Sequence, residues 1–579
     1  MSAPQTTTVI AARGSVRATF AAAFLSVALA QTAYAIPGAL NGAFAAEFHA
    51  SGAGLTWITA IFEIGIVAFE LTFGLLGDLF GRKKLLVAGG VLVVAGSALS
   101  AVATTIGFMI FAQAVIGIGA GLLFPIGLAM VAALTPDPAK RARVIALWAG
   151  FLSLGAVISP VMAGLTDQFF TVAGSTAGAP NVFSGWRVSY WIIAAVAIAL
   201  VGISTATRDS SAPAGRKLDI PGQVTFALGL IAVLYATVTA VDSGWTAPQV
   251  IGGYIVGAIL LAAFVVIELR TKAPLLHLSL FKNRAFAIGS IVAVIGMFAF
   301  LAICFSTSIS EGALAQSPVW VLGVLFVCIQ LPAFVLAPLV GRLIHSVSPR
   351  WILTVGFACI AISGYWLSTY TVGVPAQFGG TPWQAFLAPL LVLGLGFALT
   401  IGSITAVAIN TVQPHEIGMA SATTSLMRDL GFTLGPVVGA AIAFGIGAAA
   451  FAAPIVGVLT GTGLPAEAVG GLSHVPPLAW LSGWDGVVGQ FAAQMSASGA
   501  PATAVDGAVS ALQGAQGDIM GLAGSTLGSG FQVVYLVAAT AATVSAMLTL
   551  FFIPSKRVDT PVTDEELART VKVEAPTES

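Results

Sequence analysis

Charge is what this chain has least of. Asp, Glu, Lys and Arg supply 8% of its 579 residues, against 58% hydrophobic, where soluble domains carry roughly 25% charged residues. A solvated surface cannot be built from so few charges, which excludes a water-soluble globular fold and leaves a polytopic membrane protein. Cysteine is nearly absent as well. Cys304, Cys328 and Cys359 all lie inside apolar runs, so they form no disulfide framework and read as small packing residues. No GxxxxGK(S/T) phosphate loop occurs, which argues against drive by ATP. HExxH, GxSxG and metal-spaced Cys/His clusters are missing too, so neither an enzyme nor a metal site nor any cofactor is expected. The formal net charge is zero, an average that says nothing by itself about nucleic acid or acidic partners; for a membrane protein of this kind no nucleic-acid partner is expected.

What is present is a succession of apolar runs. A helix needs ~20 such residues to cross the hydrocarbon, and cutting at charges and Pro/Gly clusters gives fourteen spans. They start near Thr19, Leu55, Leu85, Gly107, Val144, Val188, Pro221, Val250, Phe286, Val319, Trp351, Phe386, Phe432 and Phe531. With a cytoplasmic N-terminus, every Lys and Arg except Arg187 then falls in an inside segment, Arg428 being counted as the one Lys or Arg of the segment before the thirteenth span. The first run, Thr19 to Ala39, follows Arg13 and Arg17 and contains Ala33-Tyr34-Ala35, the outline of a signal peptide. Its charge-free length, from Arg17 to Glu47, is too great for a signal core, and it is expected to be retained as the first helix. The expected organisation is a six-helix bundle over 1–207, two linker helices over 208–272, a second six-helix bundle over 273–555 and a cytoplasmic tail over 556–579. The Gly-rich stretch 453–530 holds Glu467, Asp485, Asp506 and Asp518 with no base, and is expected to be a long external loop. Val487, Val488, Phe491 and Met495, and again Val505, Val509 and Leu512, sit at helical spacing within it; a surface helix and a flexible loop are both open.

The first cytoplasmic hairpin reads Gly74-Leu75-Leu76-Gly77-Asp78-Leu79-Phe80-Gly81-Arg82-Lys83-Lys84. Gly74 and Gly77 let helix backbones approach, Gly81 permits a tight turn, and Asp78 with the basic triplet offers charge pairs that a moving contact can make and break. The segment Gly341 to Pro349 repeats it faintly, with His345 in the acidic place. This run resembles the signature loop of the major facilitator superfamily. Gly155, Ser159, Pro160 and Gly164 are similar to the element that marks its antiporter members. Leu218-Asp219, Gly222, Gly244-Trp245, Phe264, Glu268 and Pro274-Leu275-Leu276 resemble the extra helix pair of its fourteen-helix drug:proton antiporter branch. Glu416, Gly418, Arg428, Leu430-Gly431 and Gly435 are similar to that branch after span twelve. The resemblance implies an all-α membrane fold, two six-helix bundles plus a central helix pair, and secondary transport. Two of the branch's polar groups are absent: its first-helix acid falls on Ala28, and its fourth-helix Arg on Gln113.

Span two carries acids of its own. Glu63 and Glu70 are seven residues apart, nearly two turns, so both carboxyls lie on one helix face about 10 Å apart. A charge at membrane depth costs ~2.5–3.5 kcal/mol, which directs that face to the bundle interior. Proton carriage, binding of a cationic substrate, and a protonated carboxyl bonded to a neighbouring helix are all open readings. Gln31, Gln113 and Gln330 offer uncharged donors and acceptors, as ligand contacts or as helix–helix ties. Tyr34, Phe62, Phe124 and Trp148, with Trp57, are candidates to line an apolar cavity. Asp167, Asp242 and Glu311 fall near external span ends, where solvation is expected.

The expected function is proton-coupled efflux of an apolar or cationic small molecule by alternating access, from a monomer in the inner (plasma) membrane with both termini cytoplasmic. Its partners are then the small-molecule substrate, protons and the bilayer. The alternative is export of a lipid or native metabolite without proton coupling. Membrane enzyme and receptor are the remaining classes.

Overall fold

In lipid, every backbone polar group must find its partner within the protein, so apolar runs of this length fold as helices. The computed structural model describes residues 14–135, 137–171, 182–183, 185–209, 219–271, 274–410, 412 and 417–553, and no β-strand occurs among them. The helices are α1 (Val16–Phe48), α2 (Gly52–Val67), α3 (Glu70–Phe80), α4 (Arg82–Ala101), α5 (Ile106–Leu134), α6 (Pro138–Phe170) and α7 (Arg187–Thr205). Two follow as a pair, α8 (Ile220–Ser243) and α9 (Pro248–Arg270). Then come α10 (Arg284–Ser308), α11 (Val319–Ser346), α12 (Pro349–Ser368), α13 (Leu387–Asn410) and α14 (Ile417–Gly461). Four short helices, α15 (Ala466–Ser473), α16 (Pro477–Ser482), α17 (Trp484–Ala497) and α18 (Ala502–Gly514), precede α19 (Gln516–Phe552).

Among the described residues, thirteen helices are long and apolar enough to cross a membrane. The fourteenth span is α2 and α3 in succession, interrupted at Ala68 and Phe69. Chain starts are capped by side chains where the sequence supplies them: Ser15, Ser51, Thr105, Asp219 and Asn283 each accept a backbone N–H of the turn they open. The architecture is two six-span bundles, α1–α7 and α10–α14 with α19, and the extra pair α8–α9 packed on α2 and α14.

The bundles meet along three seams, α1 with α10, α2 with α14, and α6 with α11. Several close approaches lie toward the end at which α1 finishes. Asn41 Nδ2 donates to Ser308 Oγ at 2.9 Å, and Ser308 Oγ donates to Gly38 O. Beside them α10 continues as a π-turn, Ile309–Leu314, a geometry frequent at functional sites. Glu311 sits in this turn and is 3% exposed, bonded by Ser317 Oγ at 3.2 Å. It is therefore buried, not solvated as its position near a span end suggests. Arg187, the cation that the charge pattern leaves out of the inside segments, is buried too. It reaches Glu47 at 2.8 Å, donates to Ala103 O, and lies 4.3 Å from the centre of the Trp186 ring.

Residues 453–530 have a different build from a loop. α14 has 45 residues, about 68 Å at ~1.5 Å per residue, more than twice the ~30 Å hydrocarbon thickness. It runs on past 453, and α19 begins at Gln516. Between them α15–α18 pack as a cap whose apolar residues continue the core of the spans, with Trp480 and Leu512, and Ile519 of α19, fully buried. The two helically spaced apolar sets fall on α17 and α18, whose Val488, Phe491, Val505 and Leu512 face inward. α16 ties the cap to both bundles: Gln316 Nε2 donates to Leu481 O at 2.9 Å, and His49 Nδ1 donates to Ser482 O at 3.2 Å. His49 and Gln316 are also the two non-glycine residues with positive φ among those described, 48° and 53°.

Candidate functional site

The acids of span two do face inward, and they have company that the sequence reading did not assign. Glu63 is 3% exposed in α2. Glu70 opens α3, with its Oε2 buried and without a hydrogen-bond partner. Both lie within electrostatic reach of Arg428 and Asp429 on α14, across the seam between the bundles. Glu70 abuts the Asp429 carboxyl, and Glu63 abuts the Tyr34 hydroxyl of α1. Arg428 grips Asp429 with two donors, Nε to Oδ1 at 2.6 Å and Nη2 to Oδ2 at 3.0 Å. Planar two-point pairing of this kind fixes a guanidinium's orientation.

Arg428 is thus not a loop charge. It lies inside α14, which begins at Ile417 and not near Phe432. The signal was the dipeptide Arg428-Asp429 itself, an acid beside a base between Leu426-Met427 and Leu430: a self-compensating pair can be buried where a lone charge cannot.

The other candidates divide. Tyr34 stacks obliquely on Phe62, ring centres 5.6 Å apart, and Phe62 is fully buried. Gln31 is half-buried one turn before Tyr34 on the same face. Gln113 is elsewhere: fully buried in α5, its amide donates to Tyr190 Oη at 2.9 Å and Ser100 Oγ at 3.4 Å, tying α5 to α7 and α4. Phe124, Trp148 and Gln330 are half-buried, and Trp148 Nε1 is buried without a partner.

The motif loops are tight joints. Gly81 turns the chain between α3 and α4 at φ 95°, a conformation closed to most side chains. A Cβ there would stand 3.0 Å from the Asp209 carboxylate, which accepts Lys83 N–H at 3.3 Å, while Lys83 Nζ donates to Thr205 O. Arg82 Nη1 donates to Ala129 O at 3.3 Å. Gly74 lies within α3; the Asp78 and His345 side chains lie outside the described residues.

A match to the Major Facilitator Superfamily covers residues 23–436. The chain belongs to that superfamily. Relatives within it include the multidrug resistance protein Stp of Mycobacterium tuberculosis (strain CDC 1551 / Oshkosh), 27% identical over 67% of this chain and 69% of Stp. The puromycin resistance protein of Streptomyces alboniger is 29% identical over 73% of this chain and 83% of its own. Among solved structures, a peptide transporter superposes with a TM-score of 0.52 at 16% identity, covering 74% of this chain and 92% of its own. At that identity the likeness is one of fold.

In this superfamily member the stretch from Gly155 to Gly164 is a seam. Gly155 crosses α1 so closely that a Cβ would stand 2.2 Å from Ala28 O. Thr32 Oγ1 donates to Gly155 O at 3.2 Å, and Ser159 Oγ to Thr32 O at 2.9 Å. The next turns face the other bundle: a Cβ on Gly323 would lie 2.8 Å from Pro160 O, and one on Gly164 2.9 Å from Trp320 Cα. Ala28, where the branch's acid is expected, is therefore a packing position under Gly155.

Proposed function

We propose that this superfamily transporter exports apolar or cationic small molecules in exchange for protons, with Glu63, Glu70, Arg428 and Asp429 as the coupling group. It is a secondary active transporter, and the resistance functions named for its relatives supply the substrate class. The observation that carries the coupling is a charge imbalance. Three carboxyls, Glu63, Glu70 and Asp429, face one guanidinium, Arg428, inside the membrane span. At membrane depth an uncompensated charge is costly, so the excess acids must be neutralised by protons or by a cation. Abutting carboxyls cannot both stay ionised without one. A group that must hold either protons or a cationic substrate, on a seam between two moving bundles, has the chemistry of an antiporter. Gln113 is spent on packing, which leaves this cluster as the place to exchange charge.

In this reading the bundles 1–207 and 273–555 rock about the cluster, with 208–272 alongside and 453–530 facing outward. Both termini are cytoplasmic, the membrane is the cell's plasma membrane, and the working unit is a monomer. The test begins with an efflux-deficient host screened against ethidium and puromycin. The first hit is then measured in proteoliposomes under an imposed pH gradient. Glu63→Gln and Glu70→Gln are expected to abolish gradient-driven flux while keeping a folded, monodisperse protein. Wild-type flux in both variants would remove these residues from coupling. Wild-type flux that ignores the gradient would select uncoupled export of a lipid or native metabolite.

A further inference from the structure

Among the described spans the second is broken near its middle, and its own residues explain the break only in part. Membrane helices interrupt at Pro, at Gly/Ser, or where a foreign side chain enters the hydrogen-bond ladder. Residues 66–73, Ile-Val-Ala-Phe-Glu-Leu-Thr-Phe, contain no Pro, Gly or Ser; Gly65 just before them is a weak point, its carbonyl being the acceptor that Phe69 N–H forgoes. Yet α2 stops at Val67, Phe69 takes φ −123° and ψ −4°, and its N–H steps back only three residues to Ile66 O. The regular ladder resumes with Phe73 N–H to Phe69 O at 2.8 Å.

A foreign side chain is present. Gln223, on the first turn of α8, donates its amide to Ala68 O, and its carbonyl oxygen accepts the Thr72 hydroxyl. Ala68 and Thr72 are four residues apart, so one amide spans the two ends of a single helical rung. The break has a consequence for its neighbour. Glu70 becomes the first residue of α3, where unpaired N–H groups and the helix dipole favour a carboxylate. In an unbroken helix it would sit mid-span with neither. The charged groups facing Glu70 are Glu63 from α2 and Arg428 and Asp429 from α14; Gln223 is the neutral contact from α8.

We propose that Gln223 is a positioning residue for proton exchange: by wedging the Ala68–Thr72 rung, the extra helix pair holds Glu70 at a helix start and sets the pH at which it exchanges its proton. This rests on the coupling role proposed above for Glu70, and it gives α8 a part in transport beyond joining the bundles.

The experiment is infrared difference spectroscopy of the full-length protein in proteoliposomes, stepping pH and following the carboxyl C=O band that Glu70→Gln removes. It needs no substrate. Gln223→Leu keeps size and loses both bonds; its Glu70 band is expected to move its midpoint by about 0.5–1 pH unit, the size of a helix-start effect on a carboxylate. Thr72→Val, which removes one of the two bonds, should move it by less, and it carries the same test if Gln223→Leu does not fold. A loss of packing alone would lower thermal stability at every pH and leave the midpoint in place. An unmoved midpoint, with the Glu70 band intact, overturns the role of Gln223 and spares that of Glu70. If Glu70→Gln removes no pH-dependent band, the coupling role of Glu70 falls, and the inference with it.

Discussion

The buried pair Glu47–Arg187 predicts an asymmetry between two single substitutions. Arg187 is 2% exposed, whereas the Glu47 side chain is 34% exposed. Glu47→Ala strands the guanidinium with only Ala103 O and the Trp186 ring. Removing one partner of a buried pair costs about 3–5 kcal/mol; the contacts left behind put this case near about 3 kcal/mol. The Trp186 indole N–H, which donates to Glu47 Oε2 at 2.6 Å, loses its acceptor as well, adding about 1 kcal/mol. Arg187→Met is milder. Glu47 keeps the indole bond and meets water through its exposed third, so the cost is about 1–2 kcal/mol. The expected gap is about 2–3 kcal/mol, and the double variant should cost less than the two singles together. Unfolding by sodium dodecyl sulfate titration in mixed micelles, read by tryptophan fluorescence, measures all four proteins. Arg187→Met as damaging as Glu47→Ala would refute the argument, since it would mean the acid and not the base is the member that cannot tolerate isolation.

Other outcomes follow from the same contacts. Arg428→Gln leaves three carboxyls without a cation, and gradient-driven flux of the first screened substrate in proteoliposomes should fall at least about tenfold; flux near wild type would show that Arg428 is not the counter-charge. Gly155→Val places side-chain atoms where Ala28 O already stands 2.2 Å away, so α1 and α6 must separate, at about 1–3 kcal/mol or more, visible as a lower midpoint in the same titration. Trp480→Ala opens a cavity where the cap meets the spans and should cost about 3–5 kcal/mol; new protease cuts in the cap would be the reading, and an unchanged digestion pattern would contradict it.

Much of the architecture was legible because lipid imposes simple rules. Basic residues mark the ends of spans, and twenty-odd apolar residues mark each crossing, so fourteen spans could be counted even though Arg428 was misplaced by more than two turns. Half of the site was legible for the same reason: Glu63 and Glu70 share a face, and a face with two acids must turn inward. The other half was hidden by the rule that helped elsewhere. Counting Arg428 as a topology marker assigned it to a loop and drew attention away from Asp429 beside it. The break before Glu70 had little local signature beyond Gly65, because the side chain that bonds across it, Gln223, lies 155 residues from Ala68 along the chain. The cap was obscure in a different way. Its glycines mask helix propensity, and its order comes from burying side chains such as Trp480 and Leu512, which only the fold reveals.

Leu481 O and Ser482 O are the final carbonyls of a six-residue helix, acceptors that a helix end leaves over, and each is taken by a residue from a different bundle. Because the two acceptors belong to adjacent residues of one helix, ~3.8 Å apart from Cα to Cα, both bundles are held to the same short piece of backbone. A hydrogen bond is lost beyond about 3.5 Å, so the bundles can part at this end by only a few tenths of an ångström before one bond drops and releases His49 or Gln316 from its left-handed turn. Opening on this side is therefore metered in whole steps, bond made or bond lost, and not as a continuous stretch.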